Sequence, residues 1–335
     1  MGRLPQTPKP VDEFDSIARL FRPLTEGAPE ALGLMDDAAV LASRPGHDLV
    51  ITTDVMVEGV HFLPEDPLDL VARKLLRVNL SDLAAKAAEP FAYLLNAAWP
   101  ARCGWPEREA FARGLAEDQR AFGIRLLGGD TSSTPGPLTV SVTALGWTPA
   151  GAMVKRSGAR PGDVLLVSGS IGDGLLGLKA ARGEITGLSA DKADWLAARY
   201  RLPSPRVELR GALRAHATAA ADVSDGLMAD AGHIGEASGV AISLDLDLMP
   251  LSDPAKAWLA FQPDRAAALA ELAAGGDDYE IVCAARPEAV APLAAAARAA
   301  GLAVTPVGKV EAGEGLRVSR GGRPVEPART GWRHG

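Results

Sequence analysis

Carboxylates recur in this sequence beside glycine or threonine and next to short apolar runs. Asp36 and Asp37 stand before Ala38–Leu41, Asp54 ends ITTD, and Asp130 ends LLGGD. Asp222 and Asp225 sit in ADVSDG, and Asp277 and Asp278 in AAGGDDYE. Open α/β sheets gather ligands at strand ends, so carboxylates in turns at such positions are candidates for binding. A cluster of them needs a counter-charge, and hard divalent cations such as Mg2+ take oxygen ligands. Mg2+ would also recruit hydroxyls, and Thr52 and Thr53 adjoin Asp54. Any one of these motifs is equally an ordinary Asp/Gly turn; five together favour a metal and phosphate site.

Further motifs bear on that reading. VNLSDLAAK puts Asn79 and Asp82 on one face of an otherwise apolar helix. A carboxylate there is costly unless a cation or hydrogen bonds satisfy it; the alternative is a solvated stripe of Asn79, Asp82 and Lys86. GGDT, Gly128–Thr131, comes after the apolar Ile124–Leu127, and its glycines would let the backbone approach a phosphate whose bridging metal Asp130 could hold. Gly172, Gly174 and Gly177 match GxGxxG after VLLVSG. A dinucleotide site would need a second parallel strand and an acidic residue about 20 residues on. The stretch after Ala180 reads as a turn and another helix, which sets that reading aside. GxxxxGK(S/T), HExxH and GxSxG are all absent, so ATP use would not be of the P-loop kind, and metallopeptidase and serine-hydrolase readings are disfavoured. His61 in VEGVHF is either a site residue or an ordinary strand-end histidine.

The elements that would position these residues are read from hydrophobic period. Helical spacing appears over Glu13–Phe21, Pro67–Lys86 and Pro106–Phe122, and β-like runs at Ala38–Leu41, Leu49–Thr53, Phe91–Trp99 and Leu138–Gly146. A composition break at Trp147–Gly151 (WTPAG) and the polar turn Arg156–Asp163 divide the chain near residue 150. Beyond it, strands are expected at Val164–Ser168, Ala241–Leu246, Tyr279–Ala284 and Ala303–Lys309. Helices are expected at Leu175–Ala181, Ala193–Tyr200, Gly226–Ala237, Pro263–Ala273 and Pro287–Ala300. Both halves mix helix and strand, which predicts two α/β or α+β domains.

Length and composition agree. The 335 residues suffice for two cores, and 47% hydrophobic with 23% charged residues excludes wholesale disorder. Lys and Arg total 35 against 42 Asp and Glu, a net charge of −7, so there is no basic excess for a nucleic-acid partner. No apolar stretch is long enough to span a membrane. The opening MGRLPQTPKP, a proline-rich tail, lacks the apolar run of a secretory leader. Cys103 and Cys283 form no CxxC pair, which excludes a disulfide framework and a thiolate zinc site. These features predict a cytoplasmic enzyme.

In order along the chain, MDDAAVL, ITTDVMVEGVHF, VNLSDLAAKAAEP, LLGGDT, KRSGARPGD, RLPSPR, DVSDGL and AAGGDDYE resemble the thiamine-monophosphate kinases, from about Phe14 to Trp332. GGDT and DVSDG are shared with the wider aminoimidazole ribonucleotide synthetase-like superfamily. A selenophosphate synthetase would carry a reactive Cys near its N-terminus, whereas the first Cys here is Cys103; the hydrogenase maturation factor ends in one, whereas this chain ends Arg333-His334-Gly335. The resemblance implies a two-domain α/β (α+β) fold. Residues 1–150 would be an ATP- and Mg2+-binding domain whose sheet pairs across a homodimer, and 151–335 a C-terminal α/β domain completing the nucleotide and substrate site. It implies Asp37, Thr52, Thr53, Asp54, Asp82, Asp130, Asp222 and Asp225 as Mg2+ ligands, with Asp54, Asp82 and Asp130 central to catalysis. Gly129, Asp130, Arg156 and Ser224 would contact ATP, with Phe122 at the position of a nucleotide-contacting tyrosine. His61, Asp277 and Trp332 would contact thiamine monophosphate. The chain departs from the family at Met35, where GIGDD has glycine, at Phe122, and at Asp277, where GGEDYE has glutamate.

The implied reaction is ATP plus thiamine monophosphate giving ADP and thiamine diphosphate. The nucleophile is a phosphate oxygen, largely anionic already because its second pKa is ~6, so no general base is required. Several Mg2+ ions on the carboxylates would offset the repulsion between two polyanions in a direct transfer. Two alternatives stay open: another ATP-dependent enzyme of the superfamily, and an inactive Mg2+- or nucleotide-binding regulator.

Overall fold

The structure is a computed structural model and describes residues 12–332. The proline tail and the last three residues, His334 included, lie outside the described residues. The chain divides into two compact units. One comprises residues through Pro45 with Ile51–Asn79 and Pro90–Gly146; the other comprises Gly46–Val50, Leu80–Glu89 and the chain from Trp147 onward.

The expected first helix begins as α1 (Glu13–Ser16), capped by the Asp12 carboxylate, and turns at once into a π turn over Ile17–Phe21. Ala38–Leu41, expected as a strand, forms no ladder. One backbone bond, from Val40 to the Glu30 carbonyl at 2.9 Å, ties it down. Next comes a four-stranded sheet, in the order β1 (His47–Val57), β4 (Thr139–Pro149), β2 (Glu89–Pro100), β3 (Arg125–Thr134). Its buried face presents Val140, Val142, Tyr93 and Leu95. Helices α2 (Leu68–Ala85) and α3 (Trp105–Phe122) bury Leu75, Leu76, Phe111 and Leu115 in the same core, and Trp99 meets Phe111 edge-to-face at 5.4 Å. Between the helices the fully buried Asp118 takes Arg77 Nε at 2.6 Å and Arg73 Nε at 3.0 Å. That pairing lets a charge sit in the core.

The second sheet has seven strands, in the order β11 (Arg323–Pro324), β10 (Gly315–Arg320), β7 (Ala241–Asp245), β9 (Val304–Glu311), β5 (Val164–Ser168), β8 (Glu280–Ala285), β6 (Ala217–Val223). β7 and β10 run parallel, while β5 is antiparallel to both β8 and β9. Among the described residues, seven helices accompany it: α4 (Asp173–Ala181), α5 (Ala190–Arg201), α6 (Arg210–His216), α7 (Leu227–Ser238), α8 (Asp253–Ala260), α9 (Arg265–Ala273) and α10 (Pro287–Ala299). Strands β6 and β10 and helices α6 and α8 were not expected from sequence. β6 reads ATAAADV, a composition of low strand propensity, and is held because it zips onto β8 with buried alanines.

Candidate functional site

Asp54 and Asp130 correct the expectation that the acidic residues lie in turns: both lie inside strands, β1 and β3. Apolar runs report burial, whereas the backbone ladder continues beyond them. In β1 the period of two puts Thr52 and Asp54 on one face and Ile51, Thr53 and Val55 on the other. Thr53 gives its hydroxyl to the Val142 carbonyl at 3.1 Å, and the Asp54 carbonyl accepts Ser141 Oγ at 2.8 Å. In β3, Asp130 is the register partner of Asn96 in parallel β2. The next residue, Thr131, accepts the Trp99 indole N–H at 3.0 Å. Gly129 is required here by a close approach: a Cβ would stand 1.7 Å from the Leu95 carbonyl.

A cleft of about 630 Å³ in the first unit is lined by Asp36, Asp37, Leu94, Asn96, Gly129 and Asp130 among others. Asp37 is exposed, and its N–H donates to the Asp36 carboxylate at 2.8 Å. Met35 replaces the family glycine at φ −105°, which any L-residue adopts. Phe122 ends α3 outside this cleft, with the Arg77 guanidinium 5.4 Å above its ring. His61 accepts the Val57 N–H on Nδ1 at 3.0 Å, so the neutral ring carries its proton on Nε2.

The second unit gathers another set. Asp222 is a buried member of β6, and the strand leads through Ser224 and Asp225 into α7. That turn is clamped by Asp230, which sequence reasoning missed. One of its carboxylate oxygens accepts the N–H groups of Ser224, Asp225 and Gly226 at 3.1, 3.1 and 3.2 Å. Burial, then the Asp225 charge, pushes its pKa up to about 7. A signal was available: an acid among the apolar residues of LMADAGHI. The GGDDYE loop lies along the same turn. Asp277 donates its N–H to the Ser224 carbonyl at 2.9 Å and Tyr279 to the Val223 carbonyl at 2.8 Å. Trp332 donates its N–H to the Asp225 carbonyl at 2.9 Å. Ser224, Asp225, Asp277 and Trp332 are therefore neighbours. Asp277 takes φ +68° and accepts the Tyr279 hydroxyl at 3.1 Å.

Asp82 lies near the end of α2, in the part that belongs to the second unit. Asp82, Asp222 and the exposed Arg156 all act electrostatically on Lys86, and the Arg156 charge also reaches Asp230. Asn79 is fully buried and donates to the Leu75 carbonyl at 2.9 Å, so the solvated stripe does not form.

Donor chemistry decides which metal this arrangement fits. The expected ligands are all carboxylates and hydroxyls, the oxygen set of a hard divalent cation. Ligand atoms of Asp225, Asp230 and His233 lie within 4.8 Å of one another. The second carboxylate oxygen of Asp230 is buried with no hydrogen-bond partner, the kind of atom a bound cation satisfies.

Known proteins resemble the chain along nearly its whole length. The family models for the N-terminal and C-terminal domains of AIR synthase related proteins match residues 35–148 and 160–321. A thiamine-monophosphate kinase of Caulobacter vibrioides is 59% identical over 326 residues, covering 97% of this chain and 92% of that protein. The crystal structure of thiamine-monophosphate kinase from Stenotrophomonas maltophilia superposes with a TM-score of 0.82 at 36% identity, covering 94% of this chain and 98% of that one. A structure described as AaThiL complexed with AMPPCP and TMP superposes with a TM-score of 0.76 at 30% identity, covering 100% and 99%.

Proposed function

The chain belongs to the thiamine-monophosphate kinase family within the AIR synthase related proteins, and on that premise we propose that it phosphorylates thiamine monophosphate with ATP, giving thiamine diphosphate and ADP. The observation that carries the reading is the likeness over the full chain to a relative solved with AMPPCP and TMP. A substrate phosphate oxygen forms the new bond to the γ-phosphorus, and the bond from that phosphorus to the β,γ-bridging oxygen breaks. The nucleophile needs no base, because a phosphate monoester is largely dianionic above its second pKa of ~6.

The residues divide by chemistry. Arg156 offers a planar, permanently charged fork to the nucleotide phosphates. Ser224, Gly129 and Asp130 complete the nucleotide contacts, with Phe122 at the tyrosine position of the family. Asp277 and Trp332, whose N–H groups meet the Ser224 and Asp225 carbonyls, and His61 hold thiamine monophosphate. Asp37, Thr52, Thr53, Asp54, Asp82, Asp130, Asp222 and Asp225 would hold Mg2+, which supplies charge neutralisation between the two polyanions. The protein acts as a homodimer in this reading. Its support is the outward face of edge strand β1, where Ile51 is 60% and Val55 49% exposed, an apolar edge that invites pairing.

The deciding experiment offers ATP and Mg2+ with thiamine monophosphate, thiamine or an aminoimidazole-type precursor. Turnover of the monophosphate alone is expected. Equal or faster turnover of free thiamine would overturn the reading, because an alcohol needs a base to become the nucleophile.

A further inference from the structure

The turn of chain after Asp82 brings Lys86 to the same place, and no motif gives that lysine a role. Its N–H closes the helix on the Asp82 carbonyl at 3.0 Å. Its ammonium donates to the Ala220 carbonyl of β6 at 2.7 Å, two residues before Asp222. Lys86, Asp82, Ala220, Asp222 and Arg156 all belong to the second compact unit. Burial and the Arg156 charge push the lysine pKa down to about 8, while Asp222 and Asp82 pull it back up. A half-buried ammonium is costly to desolvate, and here its compensation is one carbonyl and two carboxylates that the proposed function assigns to Mg2+.

We propose that Lys86 is the built-in counter-ion of the Asp82–Asp222 pair, holding helix and strand together before a divalent cation arrives and weakening that cation's binding by its own charge. The inference rests on the reading of those two aspartates as metal ligands. Two cations that act on the same carboxylates repel one another, so each is bound less tightly in the presence of the other. Removing the ammonium therefore has two opposite effects. The metal-free protein loses stability, because carboxylate repulsion is unbalanced. Mg2+ then binds more tightly, because the full negative charge is available to it. A lysine that was only a strut between α2 and β6 would produce the first effect without the second.

The test titrates Mg2+ into the full-length, nucleotide-free protein and follows the melting temperature for wild type, Lys86→Met and Lys86→Arg. Methionine keeps the packing of the lysine stem without its charge. Without Mg2+, Lys86→Met is expected to melt below wild type. Its half-maximal stabilisation is expected at about tenfold lower Mg2+, and the gap closes at saturation; Lys86→Arg should follow wild type. An unmoved midpoint, or a deficit that stays constant at every Mg2+ concentration, overturns the counter-ion. A wild-type protein that gains nothing from Mg2+ overturns the metal reading itself, and the counter-ion with it.

Discussion

The carboxylate of Asp278 is the anion at the N-terminus of α4: it accepts the Gly172 N–H at 2.7 Å and the Gly174 N–H at 2.8 Å. Helix N-termini with glycine-flanked N–H groups attract phosphates in nucleotide-binding folds. Here the chain fills that position with its own side chain, which accounts for a GxGxxG without a dinucleotide. Gly174 has to be glycine, since a Cβ would stand 2.4 Å from the Asp277 backbone carbon. Two residues further along, Glu280 is buried and takes Arg206 at Nε (2.6 Å) and Nη2, with Ser168 donating at 2.7 Å. Alternate residues of GGDDYE thus anchor the loop, leaving Asp277 on the side of Ser224.

Asp278→Ala leaves two buried N–H groups without acceptors, and each unsatisfied group costs about 1–3 kcal/mol. Chemical denaturation should show a loss of roughly 3 kcal/mol or more. A change below about 1 kcal/mol would mean that water replaces the carboxylate and that the anchor is dispensable.

The same region sets a pH dependence. Burial raises the pKa of Asp173 above the ordinary value near 3.8, against hydrogen bonds from Ser170 and Ser252, both at 2.5 Å. Burial and then the Asp173 charge raise Asp278 further. A raised carboxyl binds more protons folded than unfolded, so its contribution is fully present below the unfolded value and fades as pH rises through the folded one. Melting curves of Asp173→Asn should lose part of this decline above about pH 4, gaining on wild type as pH increases. Parallel pH profiles for the two proteins would contradict the shift.

At Asp277 the family glutamate is one methylene longer. Asp277→Ala should raise KM for thiamine monophosphate about tenfold, the equivalent of ~1.4 kcal/mol, and leave KM for ATP nearly unchanged. Asp277→Glu should stay within a few-fold of wild type. A larger effect of the alanine change on ATP would move this residue to the nucleotide side.

For the first unit, Asp54→Asn and Asp130→Asn should each lower kcat by roughly 10²-fold, as loss of a preorganised electrostatic group commonly does. The melting temperature of the metal-free proteins should hold. Surviving activity with a sharp fall in melting temperature would make these aspartates structural.

The sequence by itself determined the family, the two mixed α/β domains and the motifs that carry the carboxylates, because types and spacings are local, α2 and α3 carry helical apolar periods, and β8 carries a short unbroken apolar run. It misplaced what depends on neighbours distant in the chain. Ala38–Leu41 is β-like by composition, yet among the described residues no strand pairs with it to complete a ladder. ATAAADV is weak as a strand and becomes β6 because β8 supplies the partner. Asp54 and Asp130, expected in turns beside apolar runs, sit inside strands because backbone pairing with the neighbouring strand does not depend on side-chain type. The sequence marks Asp230 only as an acid among apolar residues, and the contacts of Asp230, Asp278 and Lys86 are not written in it for the same reason. Their significance lies in which backbone groups they meet, at Ser224–Gly226, Gly172–Gly174 and Ala220. Only the folded chain brings those groups within hydrogen-bonding distance, since none of these contacts can be read from residue type or local period.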